Sequence, residues 1–418
     1  MKILILGAGI TGVSTAYFLA ERGHDVHVID REAASAMQTS FANGGQLSYS
    51  HAEPWANPSV LTKAATWIFK DDAPLLFRPK LDAHTISWLI KFLGQCTTAK
   101  ALENTKTTLR LGLYSRQVLN DLVDRTKVEF HYRHKGIVHI FKTQKALDSG
   151  LKQAEFQAPL GAPFTRLSPE ETVALEPALK HIAPSLYGSL YYPEDESGDI
   201  HLFTQELATL VENQGQVKFH YGTQVQYLHR EGNKITGVQT SKGKITADIY
   251  VMAMGSYSYL HLKDIKINVP LYPMKGYSIS VPVGRNKEEA PIVSITDQAE
   301  KIVYSRLGNI LRAAGTAEFA GYNTEISRKR IRMLKRNVEK LFPHCGDLSQ
   351  ATEWACLRPQ MPDGAALLGK CKYENLILNT GHGSLGWTLG PGSAKITADI
   401  IEGKEPEISM EGLTIDRF

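Results

Sequence analysis

The chain opens with two short apolar runs separated by one amphipathic segment. The run at residues 2–6, KILIL, is followed at once by glycine and predicts a buried strand. Apolar positions at helical spacing predict a helix over residues 11–22, and a second apolar run predicts a strand over about 25–29. A strand, a helix and a strand in this order predict the start of a parallel α/β sheet.

The rest of the chain mixes helical and alternating patterns. The further predicted elements are a mostly helical region over 60–125, a strand pair within 128–141, a hairpin with strands 225–230 and 235–240, a strand at 249–254, several strands in 270–330, a helix over 328–342, a strand at 375–379 and a helix over 388–402. The glycine-rich turn before the last helix repeats the opening pattern, so both chain ends are expected to build one domain. No linker rich in Pro, Gly or Ser separates the parts, and we expect interleaved domains.

Composition narrows the class of protein. The 418 residues are 43% hydrophobic and 22% charged, which is typical of a globular protein and excludes a disordered one. Lys and Arg number 47 against 43 Asp and Glu, so the net charge is +4 and is dispersed along the chain. This charge is too small to indicate nucleic-acid binding.

Cysteine spacing and the length of apolar runs bear on location. Cys96, Cys345, Cys356 and Cys371 form no CxxC pair, and so few cysteines fit a reducing compartment. No uninterrupted apolar run reaches the roughly 18–20 residues of a membrane span. Glycines interrupt the first apolar run, unlike in a signal peptide. We therefore expect a protein of the cytosol or of the cytosolic face of a membrane.

The glycines between the first strand and the helix predict a dinucleotide site. The turn consists of Gly7, Ala8, Gly9, Ile10, Thr11 and Gly12, a GxGxxG pattern in its required context. Gly7 suits a tight turn, Gly9 lets a pyrophosphate approach the backbone, and Gly12 lets the helix pack closely on the strand. Asp30 ends the second strand and suits a ribose hydroxyl pair, and the adjacent Arg31 is an expected cofactor contact.

Two further glycine-bearing segments favour FAD over NAD. The first, TSFANGGQ, follows shortly after Asp30, and its expected contacts are Ser40, Asn43, Gly44, Gly45 and Gln46. The second precedes the last helix, whose N-terminus would favour the negative charge of a reduced flavin. The expected contacts there are Gly381, His382, Gly383, Leu385, Gly386, Trp387 and Thr388. Val225 and Gly255 complete the set of expected cofactor contacts.

The sequence resembles the D-amino acid oxidase superfamily and, within it, the bacterial FAD-dependent D-amino acid dehydrogenases. The resemblance rests on GAGITGVSTAYFLAERGHDVHVIDRE, TSFANGGQLS, EPWANP, DESGDIHLFTQELA, VMAMGSYS, YPMKGYS, LRPQMPDG and NTGHGSLGWT. The first of these is shared by many flavoproteins. The motifs YPMKGYS, LRPQMPDG and NTGHGSLGWT are much more specific.

The resemblance implies an α/β fold with two interleaved domains. A Rossmann-like FAD domain, closed by both chain termini, is expected over residues 1–50, 150–260 and 350–418. A mixed-sheet substrate domain with a helical segment is expected over residues 51–149 and 261–349. The implied reaction is oxidation of D-amino acids, with D-alanine favoured, to 2-oxo acids and ammonia. The cofactor is FAD, and the electrons pass to a respiratory acceptor such as a quinone.

Arg358 is the expected binding group for the substrate carboxylate. It lies in LRPQMPDG, where Pro359 and Pro362 stiffen the loop, and its planar fork of donors suits a carboxylate. The resemblance places this arginine in the active site, and a structural salt bridge is the alternative. Tyr272, Tyr277 and Tyr304 are expected further substrate contacts. We expect no nucleophilic side chain, because the flavin N5 is the hydride acceptor, and, since the histidines show no HxxxH or HExxH spacing, no metal.

Three alternative functions and one location stay open at this point. The functions are an amine dehydrogenase or oxidase for proline, hydroxyproline, glycine or sarcosine, an NAD-dependent dehydrogenase, and a non-catalytic flavin-binding partner protein. The location is a membrane surface, because residues 61–95 combine apolar and basic side chains. These are Trp67, Ile68, Phe69, Trp88, Leu89, Ile90 and Phe92 with Lys63, Lys70, Arg78, Lys80 and Lys91.

Overall fold

The computed structural model describes residues 1–60, 75–77 and 82–418. The α-helices with both ends in these ranges are α1 (Ile10–Glu21), α2 (Ala83–Gln95), α3 (Thr98–Thr126), α4 (Gln144–Gln157), α5 (Pro169–Leu175), α6 (Ile200–Asn213), α7 (Ser258–Asp264), α8 (Arg328–Leu341) and α9 (Gly386–Ile401).

The strands of the described ranges are β1 (Lys2–Leu6), β2 (Asp25–Ile29), β3 (Gln46–Leu47), β4 (Leu75–Phe77), β5 (Ile137–Phe141), β6 (Thr165–Leu167), β7 (Gly188–Tyr192), β8 (Glu196–Ser197), β9 (Val217–His220), β10 (Val225–Glu231), β11 (Lys234–Thr240), β12 (Gly243–Ile245), β13 (Ile249–Met252), β14 (Tyr272–Pro282), β15 (Ser294–Asp297), β16 (Ile302–Leu307), β17 (Ile310–Phe319), β18 (Thr352–Gln360), β19 (Leu367–Lys370) and β20 (Leu376–Thr380).

Both chain ends meet in a six-stranded sheet of order β19-β20-β13-β1-β2-β9. All its pairs are parallel except β19 with β20. The apolar run of β1 alternates between two cores because side chains on a strand point to opposite faces. Ile3 and Ile5 pack with residues of α1, α6 and α9, whereas Leu4 and Leu6 pack with residues of β10, β11 and α7. The predicted closure of one domain by both termini is confirmed.

A second sheet has the order β18-β14-β17-β16-β15-β5-β7-β6, with β4 added beside β17. Its pairs are antiparallel except β15 with β5 and β4 with β17. One face packs on α8 through Ile331, Leu334 and Val338. Residues of the opposite face line the cavity described below.

Some strands of the structure differ from the sequence-based expectations, either in the sheet that they join or in whether they form. The strands β6, β7 and β18 lie in the second sheet, although their residues fall in ranges assigned to the FAD domain. Their partners are distant in sequence, so local alternation does not reveal which sheet they join. The strand pair expected within 128–141 is also wrong, because β5 is its one strand. Residues 128–136 form only an isolated bridge, between Arg133 and Ser197.

The region expected to contact a membrane is described in part. Trp67, Ile68 and Phe69, with the basic residues Lys63, Lys70, Arg78 and Lys80, lie outside the described residues. Trp88 is buried and packs against Tyr272 and Phe319. Among the helices that the structure describes, none has both the length and the apolar character needed to cross a bilayer.

Candidate active site

A cavity of about 1250 Å³ is lined by residues of both large sheets and of the segments that join them. Its walls include the turn after β1, the segment around residues 39–46, the turn before α9, and Arg358 on β18. Three segments that sequence reasoning assigned to the cofactor and one residue assigned to the substrate therefore share one cavity.

The glycines of the first turn meet three different surroundings. Gly7 has a φ of +107°, and a Cβ there would lie 2.5 Å from the carbonyl oxygen of Ala253. A Cβ at Gly12 would lie 1.9 Å from the carbonyl oxygen of Gly7, so no side chain fits between α1 and the turn. A Cβ at Gly9, the N-cap of α1, would meet only Ser40 Oγ, at 3.5 Å. The turn is packed at Gly7 and Gly12 and open toward the cavity at Gly9.

Asp30 is tied to the same turn. The backbone N–H of Ala8 donates to Asp30 Oδ2 at 2.7 Å, and the N–H of Glu32 donates to Oδ1 at 2.9 Å. Burial raises the pKa of the Asp30 carboxyl, and these two hydrogen bonds oppose the rise. Asp30 lines the cavity together with Gly9, Ile10 and Thr11, whereas Ala8 is fully buried beside it.

Arg31, Val225 and Gly255 also line the cavity. The Arg31 guanidinium lies 4.1 Å from the ring centre of Tyr257. The N–H of Thr223, two residues before β10, donates to the carbonyl oxygen of Asp30 at 2.8 Å, which brings Val225 close to Asp30. The structure therefore brings together the residues that sequence reasoning expected from three separate stretches.

The segment around residues 39–46 lies directly on the second sheet. Ser40, whose Oγ accepts from the N–H of Ile10 at 3.2 Å, lines the cavity with Asn43, Gly44 and Gln46. A Cβ at Gly44 would lie 2.4 Å from Cγ2 of Val303, so only glycine fits there. Gly45 packs against Leu307 and is not among the residues that line the cavity, which corrects its expected contact with the cofactor.

The turn before α9 contributes a second helix N-terminus. His382, Gly383, Leu385, Gly386, Trp387 and Thr388 line the cavity. Burial lowers the pKa of His382 to about 4, and its Nε2 lies 3.0 Å from Ser393 Oγ. Gly381, with a φ of +78°, lies behind the wall, where a Cβ would be 2.8 Å from Met361 Cγ. Gly381 therefore shapes the turn but does not line the cavity.

Arg358 is held against a β-bulge. Its Nη1 donates to the carbonyl oxygen of Thr316 at 2.8 Å. Thr316 has a φ of +61°, and the pairing of β14 with β17 shifts register between Lys275 and Tyr277. A Cβ at Gly276 would lie 2.4 Å from Cζ of Arg358, so the guanidinium rests on glycine backbone. No acidic side chain of the described residues forms an ion pair with it.

Of the three tyrosines expected to contact the substrate, one lines the cavity and two do not. Tyr277 lines the cavity, but its hydroxyl donates to Glu318 Oε2 at 2.5 Å. Tyr304 does not line it, because its neighbour Val303 does and consecutive side chains on β16 point to opposite faces. Tyr272 packs among Trp88, His84 and Phe319, one layer behind the wall. The expected substrate contacts of Tyr272 and Tyr304 are therefore wrong.

Sequence reasoning missed several residues of the cavity wall. Gly276 and Thr316, which position Arg358, belong to two strands that each carry an internal glycine, at Gly276 and Gly315. A glycine inside a strand often marks a bulge, so this pattern could have revealed the site. A group of polar residues on β5 and α4 also lines the cavity, including His139, Gln153 and Gln157. No sequence motif indicates that group.

In the part of the chain that the structure describes, no three His, Cys, Asp or Glu side chains are grouped as metal ligands. The four cysteines form no disulfide.

Comparison with known proteins identifies the family. The family profile described as FAD dependent oxidoreductase matches residues 2–400. A D-amino acid dehydrogenase of Paramagnetospirillum magneticum is 45% identical over 419 residues, which cover 100% of this chain and 99% of that protein. A D-amino acid dehydrogenase of Neisseria meningitidis is 43% identical over 418 residues, with 100% of both chains covered.

Solved structures agree on the fold. Glycine oxidase from Bacillus cereus has a TM-score of 0.73 at 24% identity, with 97% of this chain and 96% of that chain covered. L-proline dehydrogenase from P. horikoshii has a TM-score of 0.74 at 18% identity, with 97% and 94% covered. The chain belongs to the family of FAD-dependent oxidoreductases, and its cofactor is FAD.

Proposed function

We propose that this protein oxidises D-amino acids, with D-alanine favoured, to 2-oxo acids and ammonia and passes the electrons to a respiratory quinone. The observation that carries the proposal is Arg358, a partly buried cation at the cavity wall with no ion-pair partner among the described residues. The two relatives named D-amino acid dehydrogenase, which are similar over their whole length, support the D configuration.

The chain fits FAD at residues that the fold brings to one cavity. Asp30 offers a carboxylate for a ribose, and the open position at Gly9 leaves room for a pyrophosphate beside the N-terminus of α1. Gln46, Gly44 and the turn at His382 would hold the ring system. When bound, FAD supplies the acceptor for the hydride of the substrate Cα.

Arg358 orients the substrate. Burial lowers the pKa of its guanidinium, but an arginine stays protonated in a protein, so the cavity holds a fixed positive charge. One N–H is engaged by Thr316 and the fork is left with further donors for an α-carboxylate. The burial of His382, which lowers its pKa to about 4, keeps that ring uncharged at neutral pH. Arg358, beside Gly276 and Thr316, is then a cation that can bind an anionic group of the substrate.

We also propose peripheral contact with a membrane, where a quinone is found. Ile86, Ile90 and Leu93 lie on one face of α2 and are 46%, 65% and 55% exposed. Lys91 adjoins this face, and Leu93 also lines the cavity. An apolar helix face next to a basic residue suits a headgroup layer.

Flotation with anionic liposomes tests this proposal. The triple variant Ile86→Ser, Ile90→Ser, Leu93→Ser should stay at the bottom of the gradient while the wild type floats. The exposed control Ile292→Ser should float like the wild type.

The reaction is tested by anaerobic mixing of the purified holoenzyme with D-alanine, L-alanine, D-proline and sarcosine. The proposal expects loss of the flavin absorbance with D-alanine and none with L-alanine. Loss of absorbance with sarcosine or L-alanine, and none with any D-amino acid, would show that the substrate class is wrong.

A further inference from the structure

Residues 42–46 run across the second sheet, with successive contacts on successive strands. The strands follow the order β14-β17-β16-β15 in the sheet. The contacts, in chain order, are Ala42 with Ser278 of β14, Asn43 with Arg312 of β17, Gly44 with Val303 of β16, and Gln46 with Thr296 of β15. Of these four sheet residues, three are uncharged and Arg312 is a cation. A positive charge therefore lies under the segment to which we assign the flavin ring.

Arg312 points to the side of the second sheet that faces the cavity. Its neighbours Leu311 and Ala313 pack in the core beneath α8 on the opposite face, and side chains alternate along a strand. Ala314, two residues further along β17, lines the cavity. Arg312 is only 6% exposed and does not line the cavity, because its Nη1 donates to the carbonyl oxygen of Asn43, which does, at 2.9 Å. The guanidinium thus lies one residue behind the cavity wall.

The charge of Arg312 is weakly compensated. Burial lowers the pKa of the guanidinium, but an arginine stays protonated in a protein. No acidic side chain of the described ranges forms an ion pair with Arg312, and the carboxylate that acts on it from a distance is Asp199. Asp199 Oδ1 is engaged at the start of α6, where it accepts from the N–H groups of His201 and Leu202. A buried cation of this kind stabilises a negative charge that forms nearby.

Reduction of the flavin produces such a charge. A hydride carries two electrons and one proton, so the ring that accepts it gains one negative charge. A fixed cation behind the cavity wall favours this reduced form over the oxidised one, because charges interact strongly where water is excluded. The midpoint potential of the bound FAD measures the balance between the two forms, and it is measured without any substrate.

We infer that Arg312 is a positioning residue that holds the Asn43 carbonyl and, by its charge, raises the midpoint potential of the bound FAD. The inference rests on the cofactor, which the family match assigns, and not on the substrate class of the proposed function. In an enzyme that oxidises amino acids, a higher potential increases the driving force for hydride transfer from the substrate to the flavin.

The test compares the midpoint potentials of substrate-free holoenzymes that are reduced slowly in the presence of a reference dye. Arg312→Gln keeps a neutral donor for the Asn43 carbonyl and removes the charge, whereas Arg312→Lys keeps the charge. We expect the potential of Arg312→Gln to fall by about 30 mV or more, equal to a tenfold change in the equilibrium constant of a two-electron couple. The potential of Arg312→Lys should fall by less than half as much.

Arg306→Gln is the matched control. Arg306 is 8% exposed and donates to the backbone carbonyls of Lys287 and Gly308. It lies on β16 with Ile302 and Tyr304, on the face that points away from the cavity. The control therefore removes a similarly buried cation from the opposite face of the same sheet, and its potential should match that of the wild type.

Three outcomes would overturn the inference. One is an unchanged potential in an Arg312→Gln protein that retains FAD. A second is an equal fall in Arg312→Gln and Arg312→Lys, which would mean that the shape of the side chain matters and its charge does not. A third is an equal fall in Arg306→Gln, which would indicate a general loosening of the sheet.

Asp199→Asn replaces Arg312→Gln if that variant purifies without FAD. Asparagine is also a good N-cap, so α6 should form as before. Loss of the negative charge that offsets Arg312 should raise the potential, and an unchanged potential would overturn the inference. A wild type whose flavin no D-amino acid reduces would contradict the proposed function, while the potentials would still test Arg312.

Discussion

The two ends of the cavity are built in opposite ways. The cofactor end forms around residues 7–12 and Asp30, which a single strand, turn, helix and strand bring together. The substrate end forms around Gly276, Thr316 and Arg358, which lie on three strands and meet only when the second sheet assembles. Each end depends on a glycine that lets another part of the chain approach closely: Gly12 at the cofactor end and Gly276 at the substrate end.

The neighbours of these two glycines differ in rigidity. At Gly12 the missing Cβ would meet a backbone oxygen, which is held by the turn and cannot yield. At Gly276 it would meet the end of the Arg358 side chain, which can move away. Substitution at the first should therefore break the domain, whereas substitution at the second should only misplace one charge. The predictions below test this contrast.

The largest effect is expected from Gly12→Ala. The added Cβ, 1.9 Å from the Gly7 oxygen, forces α1 away from β1 and distorts the turn that holds FAD. We expect protein without FAD and a loss of more than about 3 kcal/mol in the free energy of unfolding. Flavin absorbance and chemical unfolding measure both. Gly94→Ala, where nothing lies within 4 Å of the added Cβ, is the control and should retain FAD. A yellow, stable Gly12→Ala protein would contradict the packing argument.

The next effect is expected from Arg358→Ala. Removal of the cation from the cavity wall should cost the carboxylate interaction, about 2–5 kcal/mol in kcat/KM for D-alanine. FAD content should stay at the wild-type level because the cofactor end is built separately. Arg358→Lys should recover only part of the rate, since a point charge lacks the fork. Rapid-reaction reduction of the flavin measures all three proteins. Wild-type reduction rates in Arg358→Ala would remove the carboxylate assignment.

Gly276→Ala should have a smaller effect at the same end. The Cβ would displace the guanidinium, which lies 2.4 Å away, and leave its charge in the cavity at a poorer position. We expect KM for D-alanine to rise about tenfold, equal to about 1.4 kcal/mol, with FAD content unchanged. Gly284→Ala, whose nearest contact would be 3.6 Å, is the matched control within the substrate part. Loss of FAD in Gly276→Ala would show that the two ends are not separable.

The same contrast explains what the sequence could predict. The glycine turn, Asp30 and the hairpin β10–β11 follow from patterns within a few residues, and their elements match the structure. The motif LRPQMPDG predicts that Arg358 lies in the site, but it does not predict which residues hold the guanidinium. The bulge at Thr316 that holds it arises from pairing between strands that are distant in sequence. Tyr304 was assigned to the wrong face, since alternation along β16 gives two faces without saying which one meets the cavity. The polar residues that line the cavity from β5 and α4 lie on a strand and on a helix face that no local pattern links.

The smallest effect concerns the charge state of His382, which burial keeps neutral at neutral pH. The folded pKa of His382 is about 4, below its usual 6.5, because burial disfavours the cation. Between these values the unfolded chain binds a proton that the folded protein does not, so stability falls as the pH drops from 7 to 5. In His382→Gln this proton uptake on unfolding is absent. The free energy of unfolding of the variant should therefore fall between pH 7 and pH 5 by about 1–2 kcal/mol less than that of the wild type. Denaturant unfolding at the two pH values measures the difference, and His51 and His139 contribute equally to both proteins. An identical pH dependence in His382→Gln and the wild type would mean that burial does not lower the pKa of this ring in the folded protein.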